Sequence, residues 1–410
     1  MRPPGPTCHG TELQRVVAVT CKLVFESDRA KPRLCGVRRT PARVLTIFLS
    51  VGLAIGRHCD SFRTATAPAV KRHTSSMRRQ SSRVLAFLTA LIFTACATPL
   101  PPPDAYLTKA LDIIHRKAYY ADRVDWERIT AEARQRAVDA RSPGDTHLAI
   151  RYALQQLGDN HSFLWEPEQS EADRENIYSG DFRLQSELIA GLGYVRVPGF
   201  VGSNPTRATA FADELQARIA ALATASPCGW IVDLRQNTGG NMWPMLAGLG
   251  PLLGEARLGY FVDRNRKKLA WSYSSGASVF NEQPATRVSG KSYLVAAGKA
   301  TVAVLQGSRT ASSGEALVVA FRSRQNTRSF GHATAGLSSA NESIVLDDGA
   351  VLFLTVAVLA DRSGKVYGAK IDPDYVTEGG RANAPLPDDP DVEAASAWLR
   401  AQPSCTGQSS

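Results

Sequence analysis

Apolar positions first fall into a regular order near residue 105. Leu107, Leu111, Ile114 and Ala118 recur at spacings of four and three, one face of a helix. A second helix is predicted from Trp126 to Ala140 with Asp125 as its cap. A third is predicted through Leu157, capped by Asp145 in the turn SPGD at 142–145. GDNHSFLWEP at 158–167 breaks the period, and a polar stretch runs to about Asp181. Leu188–Val197 reads as a strand stopped by Pro198-Gly199. Phe211, Leu215, Ile219 and Leu222 make another helical stripe.

The short apolar run Gly229–Leu234 fits a buried strand. QNTGGN then turns the chain into a helix around Met242–Leu253. Strands are expected at Ser292–Val295 and Thr301–Leu305, a turn at TASSG, and a helix over Glu315–Phe321. Glu342–Leu346 and Ala350–Leu359, joined by Asp347-Asp348-Gly349, read as a hairpin. Strands alternating with helices argue for an α/β core.

Charge changes little of this. The net charge of +10 suggests nucleic acid, but sixteen Lys/Arg against four Asp/Glu lie before Val84, which leaves the rest of the chain slightly acidic. A nucleic-acid footprint needs positive charge clustered on a folded surface, so none is expected.

The N-terminal end reads as processing. Arg78, Arg79 and Arg83 precede the short apolar run Val84–Phe93, and Ala95 precedes Cys96, which gives a signal peptide over 77–95. Cys96 after a small residue resembles a lipoprotein cleavage box, with lipid attached at that cysteine. Residues 1–76 hold four of the seven cysteines and no repeating pattern, so translation is expected to start at Met77. Residues 96–104 form a Pro-rich tether. The expected location is the periplasm or the cell envelope. Cys228 and Cys405 are the cysteines left after Cys96. In an oxidising compartment they either form one disulfide or remain two thiols.

Chemistry is expected where a strand, a tight turn bearing Ser and a helix follow one another. TVAVLQGSRTASSGEALVVAF has this layout. The turn exposes the Ser312 hydroxyl, and the helix N-terminus offers unpaired N–H groups to a developing oxyanion. Ser312-x-x-Glu315 is also a capping box, so the turn could simply start a helix. Upstream, DLRQNTGGN at 233–241 ends a buried strand in two glycines, where a backbone N–H can approach a ligand closely.

VDLRQNTGG followed by RTASSGEA resembles the tail-specific or C-terminal-processing serine peptidase family, with its tricorn-core and retinoid-binding-protein relatives. LGDNHS and the closing GAKIDPDYV extend the resemblance to about residues 105–376. It implies a crotonase-like (ClpP-type) β/α core behind an N-terminal helical subdomain, an α/β (α+β) fold. By position, Ser312 matches the nucleophile, and the N–H groups of Ser313 and of Gly240 or Gly239 match the oxyanion hole. Processing-type members carry a Lys base after the nucleophile. Here GHATAGLSS at 331–339 puts Leu337 in its place, and leucine accepts no proton. The tricorn-like branch uses a His from the N-terminal part, which His161 in DNHSF matches; a neutral imidazole suits neutral pH. His332 is the reserve base, and Glu315 and Asn341 are supporting residues. Tyr367 stands where an orienting Glu is expected, with Asp159 and Asp372 as substitutes. The roughly two dozen residues between DNHSF and Leu188 leave no room for a PDZ domain.

These readings divide the chain into a helical subdomain at 105–165, a peptidase core at 182–380 and a C-terminal tail at 381–410. They point to a serine-type peptidase acting on peptides or envelope proteins. The chain would touch the membrane through a lipid anchor, and self-association is left open. No cofactor is expected, and no HExxH, paired CxxC or phosphate loop appears. The alternatives are a non-catalytic ligand- or peptide-binding lipoprotein on the same fold, and an envelope scaffold.

Overall fold

Two sheets make up the core, and each is explained by its strand pattern. The computed structural model describes residues 99–174, 181–378 and 386–407. The leader, Cys96 and the 1–76 extension lie outside the described residues. Three helices come first: α1 (Pro103–Lys117), α2 (Trp126–Arg136) and α3 (His147–Gln156). As expected, α1 buries Leu107, Leu111 and Ile114, and Asp125 caps α2 by accepting from the Arg128 N–H. Asp145 does not cap α3. Its carboxylate accepts from the N–H groups of Arg141 and Ser142 and closes the turn instead.

The chain continues through β1 (Phe163–Trp165), α4 (Pro167–Arg174), β2 (Gln185–Ile189), β3 (Leu192–Arg196), α5 (Pro205–Ala223) and β4 (Trp230–Asp233). It then forms α6 (Met242–Leu253), β5 (Ala256–Asp263), β6 (Lys268–Ser274), β7 (Ala277–Phe280), β8 (Gln283–Arg287) and β9 (Val302–Gln306). The last elements are α7 (Ser313–Phe321), β10 (Thr327–Gly331), β11 (Ser339–Val345), β12 (Val351–Asp361), β13 (Tyr375–Val376), α8 (Pro390–Arg400) and α9 (Pro403–Thr406).

One sheet runs β13-β10-β9-β4-β3-β2 and is parallel except for the β2–β3 hairpin. Its central strands β4 and β9 are buried throughout, as their unbroken apolar runs require. The other sheet is antiparallel, β1-β12-β5-β6-β7-β8, with β11 also paired to β12. All twelve residues of α6 are buried, in keeping with a helix apolar on every side.

Three sequence expectations need correction, and one group of strands went unread. Leu188–Val197 is a hairpin, because Ala190 and Gly191 both take positive φ and fold the run on itself. Ser292–Val295 is not a strand; no neighbouring strand supplies its hydrogen bonds, and a 3₁₀ turn follows at Val295–Gly298. The antiparallel strands between Ala256 and Arg287 were not read from the sequence, although Leu269, Trp271 and Tyr273 of β6 alternate with polar or small residues. The supposed tail at 381–410 includes α8, which buries Val392, Ala395 and Leu399 against Leu192, Ile231 and Leu305 of the parallel sheet.

Two further ties hold α8 down. Arg235 is buried and donates to Asp389 and Asp391 at the start of α8 as well as to Asp233. Cys405 is disulfide-bonded to Cys228, just before β4. The bridge spans 177 residues of sequence, so it removes much freedom from the unfolded chain. Reduction, or Cys228→Ser with Cys405→Ser, is expected to destabilise the protein by about 2–5 kcal/mol. Thermal melts with and without reductant check this, and an unchanged midpoint would show that the bridge carries no stability.

Candidate active site

The two motifs singled out in the sequence pack against each other with no space between. Ala311 N–H donates to the Asn237 carbonyl at 3.0 Å. A Cβ on Gly239 would lie 2.9 Å from both Ala311 O and Ser312 Cβ, and one on Gly314 would lie 2.5 Å from Asn237 O. The glycines of QNTGG and TASSG are therefore what lets the turns touch. Asn237 braces this contact, donating to Val197 O at 3.1 Å and accepting from Gly239 N–H at 3.0 Å.

Ser312 ends the turn before α7 with φ 52° and ψ −117°, a backbone conformation that a residue with a Cβ adopts at a cost. Its N–H donates to Glu315 at 2.9 Å. Glu315 is fully buried and accepts three more hydrogen bonds, from Thr334 Oγ1 and from the N–H groups of Gly336 and Leu337. Burial raises its pKa, and these donors act in the opposite direction. Glu315 thus ties the Ser312 turn to the segment leading into β11.

His161 lies in the loop between α3 and β1. Asp159 builds that loop by accepting from the N–H groups of His161 and Ser162 and from the Ser162 hydroxyl. Thr355 of β12 donates its N–H to Ser162 Oγ, and Asn341 of β11 donates to the His161 carbonyl at 2.8 Å. Held this way, His161 places Nε2 2.9 Å from Ser312 Oγ and Nδ1 2.7 Å from Ser339 Oγ. The ring is 8% exposed, and burial lowers its pKa to about 4, against a smaller upward pull from Asp159. It is therefore neutral at pH 7. If Nδ1 carries the proton and donates to Ser339, Nε2 is the acceptor facing the hydroxyl.

The other expected residues separate clearly. His332 is exposed and does not line the cleft; its N–H pairs with the Gln306 carbonyl at the end of the parallel sheet. Gly239 has spent its N–H on Asn237 and cannot also serve as an oxyanion donor. Gly240 and Ser313 N–H have no hydrogen-bond partner among the described residues, and the Ser313 hydroxyl donates to Gly240 O at 2.5 Å. Neither Asp159 nor Asp372 bonds the His161 ring, and Tyr367 donates to Asp361 instead. The group on Nδ1 is Ser339, which sequence reasoning missed. It lies in the quoted GLSS segment, but a serine there carries no local signal.

Ser312 opens onto a cleft of about 340 Å³. The N-termini of α6 and α7 both contribute to its wall, through Gly240, Asn241 and Met242 and through Ser313 and Ala316. The rest is largely apolar: Phe163, Trp165, Phe261, Leu337, Phe353 and Leu359. Phe353 stacks on Phe163 and meets Trp165 edge-on, with ring centroids 4.6 Å apart in each pair. Apart from His161 the lining has no titratable side chain, so the site favours uncharged groups.

Residues 191–377 match peptidase family S41. That span contains Gly239, Gly240, Ser312 and Glu315, whereas His161 lies upstream of it. The chain is 28% identical over 285 residues to the nisin-resistance protein of Lactococcus lactis subsp. lactis, over 69% of this chain and 86% of that protein. It also resembles the solved structure of a lipoprotein from Streptococcus agalactiae, with a TM-score of 0.61 and 24% identity. That likeness covers 74% of this chain and 97% of the other, and it shows a shared fold.

Proposed function

We propose, starting from a chain whose residues 191–377 are a peptidase family S41 domain, that it hydrolyses peptide bonds with Ser312 as nucleophile and His161 as base. The observation that carries this reading is the 2.9 Å approach of His161 Nε2 to Ser312 Oγ in a cleft walled by two helix N-termini. Ser312 Oγ attacks the carbonyl carbon as its proton passes to Nε2. The N–H groups of Gly240 and Ser313 stabilise the oxyanion. His161 returns the proton to the leaving amine, and water, activated by the same imidazole, then releases the acyl group. The apolar cleft supports substrates with an apolar side chain at the bond cut.

An envelope location is part of the proposal. It is supported by the Arg-rich leader before Cys96 and by likeness to a lipoprotein and to a nisin-resistance protein. Among the described residues no helix is long and apolar enough to cross a membrane; the proposed attachment is a lipid at Cys96.

A fluorophosphonate probe tests the chemistry directly. The folded protein is expected to be labelled at neutral pH, with the adduct on the peptide containing Ser312 and on none from Ser312→Ala. Folded protein that takes up no label would instead favour a non-catalytic peptide-binding lipoprotein on the same fold.

A further inference from the structure

Asn241 occupies a place in the cleft that its structural role explains only in part. It caps α6: its Oδ1 accepts from the Trp243 N–H at 3.0 Å, and its own N–H donates to Phe200 O at 2.7 Å. The Trp243 donor settles which end of the amide is oxygen, because a second N–H could not face it. The other end, Nδ2, is then a two-proton donor. It has no hydrogen-bond partner among the described residues, and Asn241 is only 6% exposed. Buried polar groups are almost always paired, and a buried donor without an acceptor is costly. Capping does not require that cost, since Asp or Ser caps a helix equally well without an orphaned N–H₂.

Asn241 lines the same cleft as Ser312 and follows Gly240, whose N–H is unpaired among the described residues. A peptide lying in this apolar cleft brings carbonyl oxygens that must be satisfied as water leaves. We propose that Asn241 is a substrate-binding residue whose Nδ2 donates to a main-chain carbonyl of the bound peptide. This rests on the peptidase reading above for its substrate, though the hydrogen bond itself needs no bond cleavage.

The test uses variants that keep the cap. Asn241→Ser and Asn241→Asp both retain an oxygen for the Trp243 N–H, and both remove the donor. With acetyl-Ala-Ala-Phe-aminomethylcoumarin as substrate, kcat/KM is expected to fall about tenfold for Asn241→Ser. The fall should be larger for Asn241→Asp, which sets a carboxylate against a carbonyl. Both should melt close to the wild type. A second arm measures binding of uncleaved acetyl-Ala-Ala-Phe-Ala-Ala-amide to Ser312→Ala, alone and combined with each Asn241 variant. Affinity should weaken by a similar factor. If Ser312→Ala hydrolyses the coumarin substrate as well as the wild type, the peptidase assignment fails while this arm still decides the role of Asn241. Unchanged affinity and unchanged kcat/KM in Asn241→Asp would overturn the proposal, as would equal losses traced to a lowered melting temperature in both variants.

Discussion

Ser312→Ala is expected to lower peptide hydrolysis by about 10⁴-fold or more, the scale seen when a serine-hydrolase nucleophile is removed. The melting temperature should stay near that of the wild type, because the hydroxyl's side-chain partner is His161 and the backbone of the turn is held through the Ser312 N–H and Glu315. The comparison with Ser312→Gly is more telling. The φ of 52° and ψ of −117° cost a residue with a Cβ of the order of 1–3 kcal/mol, and glycine escapes that cost. Ser312→Gly should therefore be as inactive as Ser312→Ala and at least as stable. A strained residue whose removal stabilises the fold and abolishes turnover is held for its chemistry. Full activity in Ser312→Ala would end the assignment, and a matching loss of stability in both variants would mark Ser312 as a structural residue.

His161→Gln should cost a similar factor in kcat, and the pH profile of the wild type should identify the imidazole. Burial takes the pKa of His161 from its ordinary 6.5 to about 4. The neutral ring is the active form, so the acid limb of kcat/KM should lie near 4 and activity should be level through pH 6. Stability follows the same sign. The unfolded chain binds the proton first as pH falls, so the contribution of His161 is complete above about 6.5 and is lost between there and about 4. Ser339 supplies no charge to Nδ1, which helps to keep the base weak. Ser339→Ala should lower kcat without moving the limb, by freeing the ring to turn. Ser339→Asp should move the limb upward, since a carboxylate favours the imidazolium. An acid limb near 6.5 in the wild type would contradict a buried His161 as the base.

Much of the fold was legible because its signals are local. The stripe of Leu107, Leu111 and Ile114 needs only helical geometry to be read, and the Asp125 cap lies three residues from its donor. The runs WIVD and VAVLQ announce buried strands because both faces of those strands are covered. Strands β5–β8 were not legible. Burial along β5 follows no alternation and DRNRKK interrupts the segment; β6 does alternate, but only pairing with one another and with β12 makes these strands a sheet. Helix α8 was missed for a related reason: Arg235 and Cys228, which tie it down, lie more than 150 residues upstream, and the sheet face it covers is assembled from strands far apart in sequence.

The sequence by itself determined the candidate nucleophile and its setting. A strand, a small-residue turn and a capped helix follow one another in one short segment, and DLRQNTGG names the turn that must pack on it. It also excluded a lysine base at position 337, because the leucine there cannot take a proton. Only the tertiary structure decided which groups meet Ser312. His161 lies 151 residues away; the resemblance preferred it to His332, but only the loop after α3, anchored to β11 and β12, brings it to the hydroxyl. The same holds for Gly240 over Gly239, and for Ser339 on the imidazole. In each case the deciding fact is which hydrogen bonds are already spent, and that depends on neighbours brought together only by folding.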